Sequence, residues 1–151
     1  MRVYLGSDHA GYLMKAALVP RLMQLGHEPV DVGPHTYRED DDYPPYVLET
    51  GLRVVADPGS LGIVIGGSGN GEAIAANKVD GIRAALAWNE ETARLGREHN
   101  NANILSISAR MHSVMEATHL VEVFLKTPFS EDPRHIRRIG MLTDYEQQRM
   151  H

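Results

Sequence analysis

Short apolar runs and longer segments of mixed polarity take turns along the chain. "RVYLG" (2–6), "EPVDVG" (28–33), "LGIVIGG" (61–67), "IRAALAW" (82–88) and "ILSIS" (104–108) are rich in β-branched and apolar residues and run into glycine or polar turns, which predicts five strands. Between them apolar positions recur at helical spacing near 11–25, 44–56, 71–77, 90–97 and 112–125. In the first of these, Leu13, Ala16, Ala17, Val19, Leu22, Met23 and Leu25 carry the pattern and Gly26 supplies the stop. Strand and helix alternating in this way predict parallel βαβ units, hence a three-layer α/β fold with a five-stranded parallel sheet and helices on both faces. One more segment, about 133–149, opens on Pro133 at a first helical position and has no strand after it. Its Ile136, Ile139, Met141 and Leu142 among many charges suit an extra C-terminal helix that reaches a partner subunit. Without internal repeats or linkers, one domain is expected across residues 1–151.

Composition narrows the chemistry. With 42% hydrophobic and 23% charged residues the chain has the balance of a soluble globular protein. No apolar run approaches the roughly 20 residues that span a bilayer. The N-terminus starts at once as a strand and lacks a signal-peptide pattern, so a cytoplasmic location is expected, with no membrane partner. There is no cysteine, which excludes disulfides, thiolate metal sites and thiol nucleophiles. A net charge of −5 argues against a nucleic-acid partner, which needs a clustered basic face. The eight histidines form neither H-E-x-x-H nor H-x-H, so no metal and no cofactor are expected. The acidic run at 39–42 reads as a solvated face.

Ligands of parallel α/β sheets bind beyond the carboxyl ends of the strands. The polar residues there are Ser7, Asp8 and His9 after the first strand, Asp42 and Tyr43 after the second, Gly66 to Glu72 after the third and Arg110 after the fifth. His99 and Asn100, ending a helix in "REHNNAN", are candidates for the same crevice. The glycine-rich loop "GGSGNGE" fits neither G-x-G-x-x-G nor G-x-x-x-x-G-K-[ST]. On residue types alone it reads equally as a close-approach ligand cradle or as a tight turn whose Glu72 compensates a helix N-terminus, worth about 0.3 to 1 kcal/mol. Ser7 or Asp8 alone reads best as a helix cap. Arg134 and Arg138, four apart, share a helix face and can clamp a phosphate together or simply face solvent.

Taken in order, "GSDHAG" (6–11), "DDYP" (41–44), "GIVIGGSGNGEAIAANK" (62–78), "REHNNAN" (97–103) and "RHIRR" (134–138) resemble the ribose-5-phosphate isomerase B family, which includes the galactose-6-phosphate isomerase subunits. The resemblance covers nearly the whole chain. It implies a Rossmann-like, metal-independent aldose-ketose isomerase of a small sugar phosphate, a homodimer or dimer of dimers with active sites between subunits. The reaction implied is ribose 5-phosphate to ribulose 5-phosphate through a cis-enediolate, with allose or galactose 6-phosphate as alternative substrates and a non-catalytic phosphosugar-binding module as the alternative class. In many members the base is a cysteine just before G-[ST]-G, a place held here by Gly66. A branch typified by actinobacterial enzymes looks like this chain, with glycine there and a glutamate six residues on, at Glu72. By that resemblance Glu72 moves the proton between C2 and C1 and Ser68 passes one between O1 and O2. NH groups around Gly67, Gly69 and Gly71, with Asn100, hold the enediolate. Asp8 and His99 open the ring, Tyr43 lines the sugar, and His9, Arg110, Arg134 and Arg138 bind phosphate, with His99 and some arginines supplied by either subunit.

Overall fold

The computed structural model describes residues 1–149. Five strands, β1 (Arg2–Ser7), β2 (Glu28–Gly33), β3 (Leu61–Gly66), β4 (Ala84–Leu86) and β5 (Ile104–Ser108), form one parallel sheet in the order β2-β1-β3-β5-β4. The helices are α1 (Tyr12–Gln24), α2 (Pro44–Ala56), α3 (Asn70–Ala76), α4 (Glu90–Asn100), α5 (Val114–Lys126) and α6 (Pro133–Arg149), with one 3-10 turn, His9–Gly11, ahead of α1. The expected three-layer αβα architecture, its five-stranded parallel sheet and its extra C-terminal helix are all present.

Alternation along the strands builds two cores. On one face Val3, Leu5, Ile63, Ile65, Leu105 and Ile107 pack with Leu18 of α1 and Leu120 and Phe124 of α5. On the other, Tyr4, Val64 and Ile104 pack with Val47 and Val54 of α2 and Ala75 and Ala76 of α3. The central strand β3 is buried at every position, as a strand covered on both faces must be. Local signals set the ends of α4 and α5: Asn89 with Thr92, and Ser113 with Glu116, form reciprocal capping boxes.

Two boundaries differ from the pattern in the sequence. β4 is three residues long rather than seven: β5 pairs with it only over Ala84–Leu86, and the Asn77 side chain covers its open side, donating to Ala84 O (3.1 Å) and accepting from Ala84 N (2.8 Å). α4 runs on to Asn100, ending where Asn101 adopts a left-handed conformation. Among the described residues no helix is long and apolar enough to cross a membrane.

From β1 the chain crosses one way to β2 and the other way to β3. A crevice therefore opens at the carboxyl ends of β1 and β3, where the two crossovers part.

Candidate active site

The glycine loop joins β3 to α3, with Gly69 in the left-handed region (φ 86°) that only glycine adopts without strain. Its carbonyls are tied back to β5: Gly66 O accepts from Ala109 N (2.8 Å), Gly67 O from Arg110 N (3.1 Å) and the Ser108 hydroxyl, and Gly69 O from Ser106 Oγ (2.7 Å). With the carbonyls engaged, the loop's NH groups are its remaining capacity toward a ligand, and the one at Asn70 is taken by Ser68 Oγ (3.2 Å). Tyr43 packs against the Gly71 backbone, and the Arg110 guanidinium packs on Gly67, 3.1 Å from where a side chain there would begin.

Glu72 lies in the first turn of α3, yet it is only 4% exposed. Compensation of a helix terminus at the surface does not account for that burial. The carboxyl group fills the space over Gly66, so any side chain at position 66 would overlap it. Burial raises the Glu72 pKa; its own backbone NH opposes the shift and the nearby Asp8 charge adds to it. A carboxyl group so tuned holds a proton more readily than an exposed glutamate does.

Asp8 follows β1 directly and caps the next turn, its Oδ1 accepting from Ala10 N (2.9 Å) and Gly11 N (3.3 Å). His9 is held by Asp41, whose Oδ1 accepts from both the His9 main-chain N and ring Nδ1, each at 2.8 Å. The Asp41 side chain is 5% exposed. This corrects the reading of 39–42 as a solvated face: Glu39, Asp40 and Asp42 are exposed, but Asp41 turns inward because His9 offers two donors. Asp8, His9 and Asp41 have ligand atoms within 4.8 Å of one another, the one such grouping among the described residues, but both aspartates and the histidine already spend oxygens and a nitrogen on these hydrogen bonds.

His99, Asn100, Arg134 and Arg138 lie elsewhere. Asn100 O accepts from Arg83 Nε (2.9 Å), and the neighbouring Asn103 O accepts from Gly62 N, so the end of α4 sits at the amino ends of β3 and β5. One strand length, roughly 15 to 20 Å, separates it from the glycine loop. The reason is topological: in a βαβ unit the helix runs back against the strands, so its C-terminus arrives at the opposite edge of the sheet. There the His99 ring stacks on His135 of α6 (centroids 4.3 Å apart), and exposed Arg134 and Arg138 flank the pair. Burial lowers the His135 pKa, as do the His99, Arg134 and Arg138 charges. A cleft of about 600 Å³ also opens at this end, lined by Arg83, Arg97 and Lys126 among others. Its arginines are spent on the main-chain carbonyls of Asn100, Asn101, Ala102 and Thr127, so they close off α4 rather than mark a reacting centre.

One chain thus brings together Glu72, Ser68, Asp8, His9, Tyr43, Gly67, Gly69, Gly71 and Arg110, and sets His99, Asn100, Arg134 and Arg138 apart. A family model described as Ribose/Galactose Isomerase matches residues 3–142. The chain belongs to this ribose/galactose isomerase family. Ribose-5-phosphate isomerase B of Mycobacterium tuberculosis (strain H37Rv) is 58% identical over 146 residues, 97% of this chain and 90% of that protein. A probable ribose-5-phosphate isomerase B of Mycoplasma pneumoniae is 39% identical over 147 residues, covering 97% of this chain and 96% of its own. Among solved structures, ribose-5-phosphate isomerase B of Mycoplasma genitalium with bound ribulose 5-phosphate superposes with a TM-score of 0.92 at 37% identity, covering 97% of this chain and 96% of that one. The Clostridium thermocellum isomerase B gives 0.93 at 40% identity, over 98% and 99%.

Three participants escaped the sequence pattern. Ser106 and Ser108 anchor the loop, and their signal was present as two serines on one face of an otherwise apolar strand, "ILSIS". Asp41 was hidden within its acidic run, where nothing distinguishes the one buried carboxylate from its three neighbours.

Proposed function

We propose that this family member interconverts ribose 5-phosphate and ribulose 5-phosphate, with Glu72 as the base, in the manner of the branch that has glycine in place of cysteine. The observation that carries the proposal is the buried Glu72 carboxyl group over Gly66, in the crevice between β1 and β3, with its pKa raised. Asp8 and His99 open the sugar ring. Glu72 takes the C2 proton, leaving an enediolate whose oxygen is held by the loop NH groups and Asn100. Ser68 relays a proton between O1 and O2, and Glu72 returns its proton to C1, so no net proton is gained or lost. Tyr43 lines the sugar, and His9, Arg110, Arg134 and Arg138 bind the phosphate at the far end. Replacing Glu72 by Gln should lower kcat by about 10²- to 10⁴-fold, the usual worth of general acid-base catalysis, while sugar phosphate still binds. An active E72Q enzyme would sink the assignment.

The same reading makes the working form a homodimer or dimer of dimers. The glycine-loop end holds the base, the amino end holds His99 and two exposed arginines, and a second copy laying its α4–α6 end over the first joins them. Ile136, Met141, Leu142 and Tyr145 of α6 are more than half exposed, which suits a helix covered by that copy. Mixing inactive E72Q and H99A chains should restore about a quarter of the sites, because half the random dimers are mixed and each mixed dimer rebuilds one intact site. Separate sites in each chain would restore none. The family description names galactose beside ribose. A coupled assay with ribose 5-phosphate, allose 6-phosphate and galactose 6-phosphate, without added metal, therefore decides between pentose and hexose, and turnover of none favours a binding module.

A further inference from the structure

Among groups the proposed chemistry leaves unused, Asp41 stands out. It belongs to the loop ahead of α2, it is nearly inaccessible, and one of its oxygens receives two hydrogen bonds from a single residue. Its other oxygen, Oδ2, is buried without a partner, as is the hydroxyl of Ser7. A carboxylate kept in such a place needs a reason, because an unsatisfied buried acceptor costs about 1 to 3 kcal/mol.

The reason lies in what Asp41 does to the imidazole. A carboxylate only accepts, so Nδ1 of His9 must carry the proton of that 2.8 Å bond. In the neutral ring the remaining nitrogen, Nε2, would then be an acceptor and would repel a phosphate oxygen. In the charged ring Nε2 is a donor. Asp41 decides between the two. Its hydrogen bond is the largest influence raising the His9 pKa; partial burial opposes, and the Asp8 charge adds to it. Among the described residues no hydrogen bond engages Nε2. The other titratable groups around this centre are Lys15 of α1, whose ammonium lies within the field of Asp41 and donates to Asp31, and Glu72 of α3, which feels the Asp8 charge.

We propose that Asp41 is a positioning residue that fixes His9 as a doubly protonated ring, with Nδ1–H held by the carboxylate and Nε2–H offered to the phosphate of the substrate. This rests on the phosphate role given to His9 above. It keeps the Nε2 donor available to phosphate at higher pH than an ordinary histidine would.

The test compares the full-length enzyme with D41N, which keeps an acceptor but removes the charge. NMR titration of His9 in the wild type should give a midpoint above the ordinary value of about 6.5, and in D41N a midpoint at or below it. KM for ribose 5-phosphate, and the inhibition constant of inorganic phosphate, should rise about tenfold in D41N at pH 8, a change of about 1.4 kcal/mol, and the gap should narrow at pH 6. The kcat should stay within about threefold, since no reacting atom has moved. In a His9→Gln background, D41N should change neither constant, because Asp41 acts through the ring. A wild-type His9 that titrates at or below 6.5, an unchanged KM in D41N at pH 8, or a further loss in the H9Q background would each overturn the proposal. Should the wild type turn over no sugar phosphate, the isomerase reading falls, while the His9 titration and inorganic phosphate binding still decide the role of Asp41.

Discussion

Replacing Gly66 by Ala tests the packing that joins the glycine loop to Glu72. Gly66 is the last residue of β3 and is not among the glycines with positive φ, so the backbone itself tolerates alanine. Reduced unfolded-state freedom would even favour the change by about 0.4 to 1 kcal/mol. The obstacle is steric. A methyl group at 66 would overlap the Glu72 carboxyl group, and that residue is only 4% exposed. Overpacking of this kind costs about 1 to 3 kcal/mol, which for a chain of this length lowers Tm by about 2 to 12 °C. In the double variant G66A/E72A the methyl group enters the space the carboxyl group leaves, and most of the loss should return. Thermal and urea unfolding of the parent, both single variants and the double variant give the coupling, expected at about 1 to 3 kcal/mol in favour of the double. The reasoning fails if G66A is as stable as the parent, or if the two single effects add to within about 0.5 kcal/mol.

Two further outcomes follow from charges buried around the crevice. Because the Glu72 pKa is raised, the folded state holds more protons than the unfolded one between about pH 4.5 and the folded value, so the parent loses stability as pH climbs through that window. E72Q lacks this slope, and melts from pH 4 to 8 should show its Tm overtaking the parent's and then levelling, whereas parallel curves would contradict the shift. Lys15 is 1% exposed and its ammonium donates to Asp31 Oδ1 (2.8 Å) and Pro34 O (2.7 Å), tying α1 to the end of β2. Lys15→Met should cost about 2 to 3 kcal/mol in urea unfolding, less than a fully buried pair because Asp31 is 36% exposed and water repays part of the loss.

Much of the fold was legible in one dimension because its signals are local. The apolar runs of the strands, the Gly26 stop and Pro133 at the head of α6 each act within a few residues, and they set the elements close to where they stand. The length of β4 was not legible, since it is set by how far β5 pairs with it, over Ala84–Leu86 alone. For the site, the glycine loop, Asp8, His9 and Glu72 could be found because they cluster at strand ends. His99 and Asn100 carry no mark in "REHNNAN" to say which edge of the sheet their helix reaches.

By itself the sequence determined the parallel α/β plan, the absence of thiol chemistry, and the pairing of a glycine at 66 with a glutamate at 72. Only the tertiary structure decided that the Glu72 carboxyl group lies buried over that glycine, that Asp41 alone of four acids turns inward to hold His9, and that His99, Asn100, Arg134 and Arg138 gather a strand length away from the loop. The division has a physical origin. Propensity and periodicity are properties of neighbours along the chain, whereas desolvation and charge depend on groups brought together across it, as Asp8 and Glu72 are.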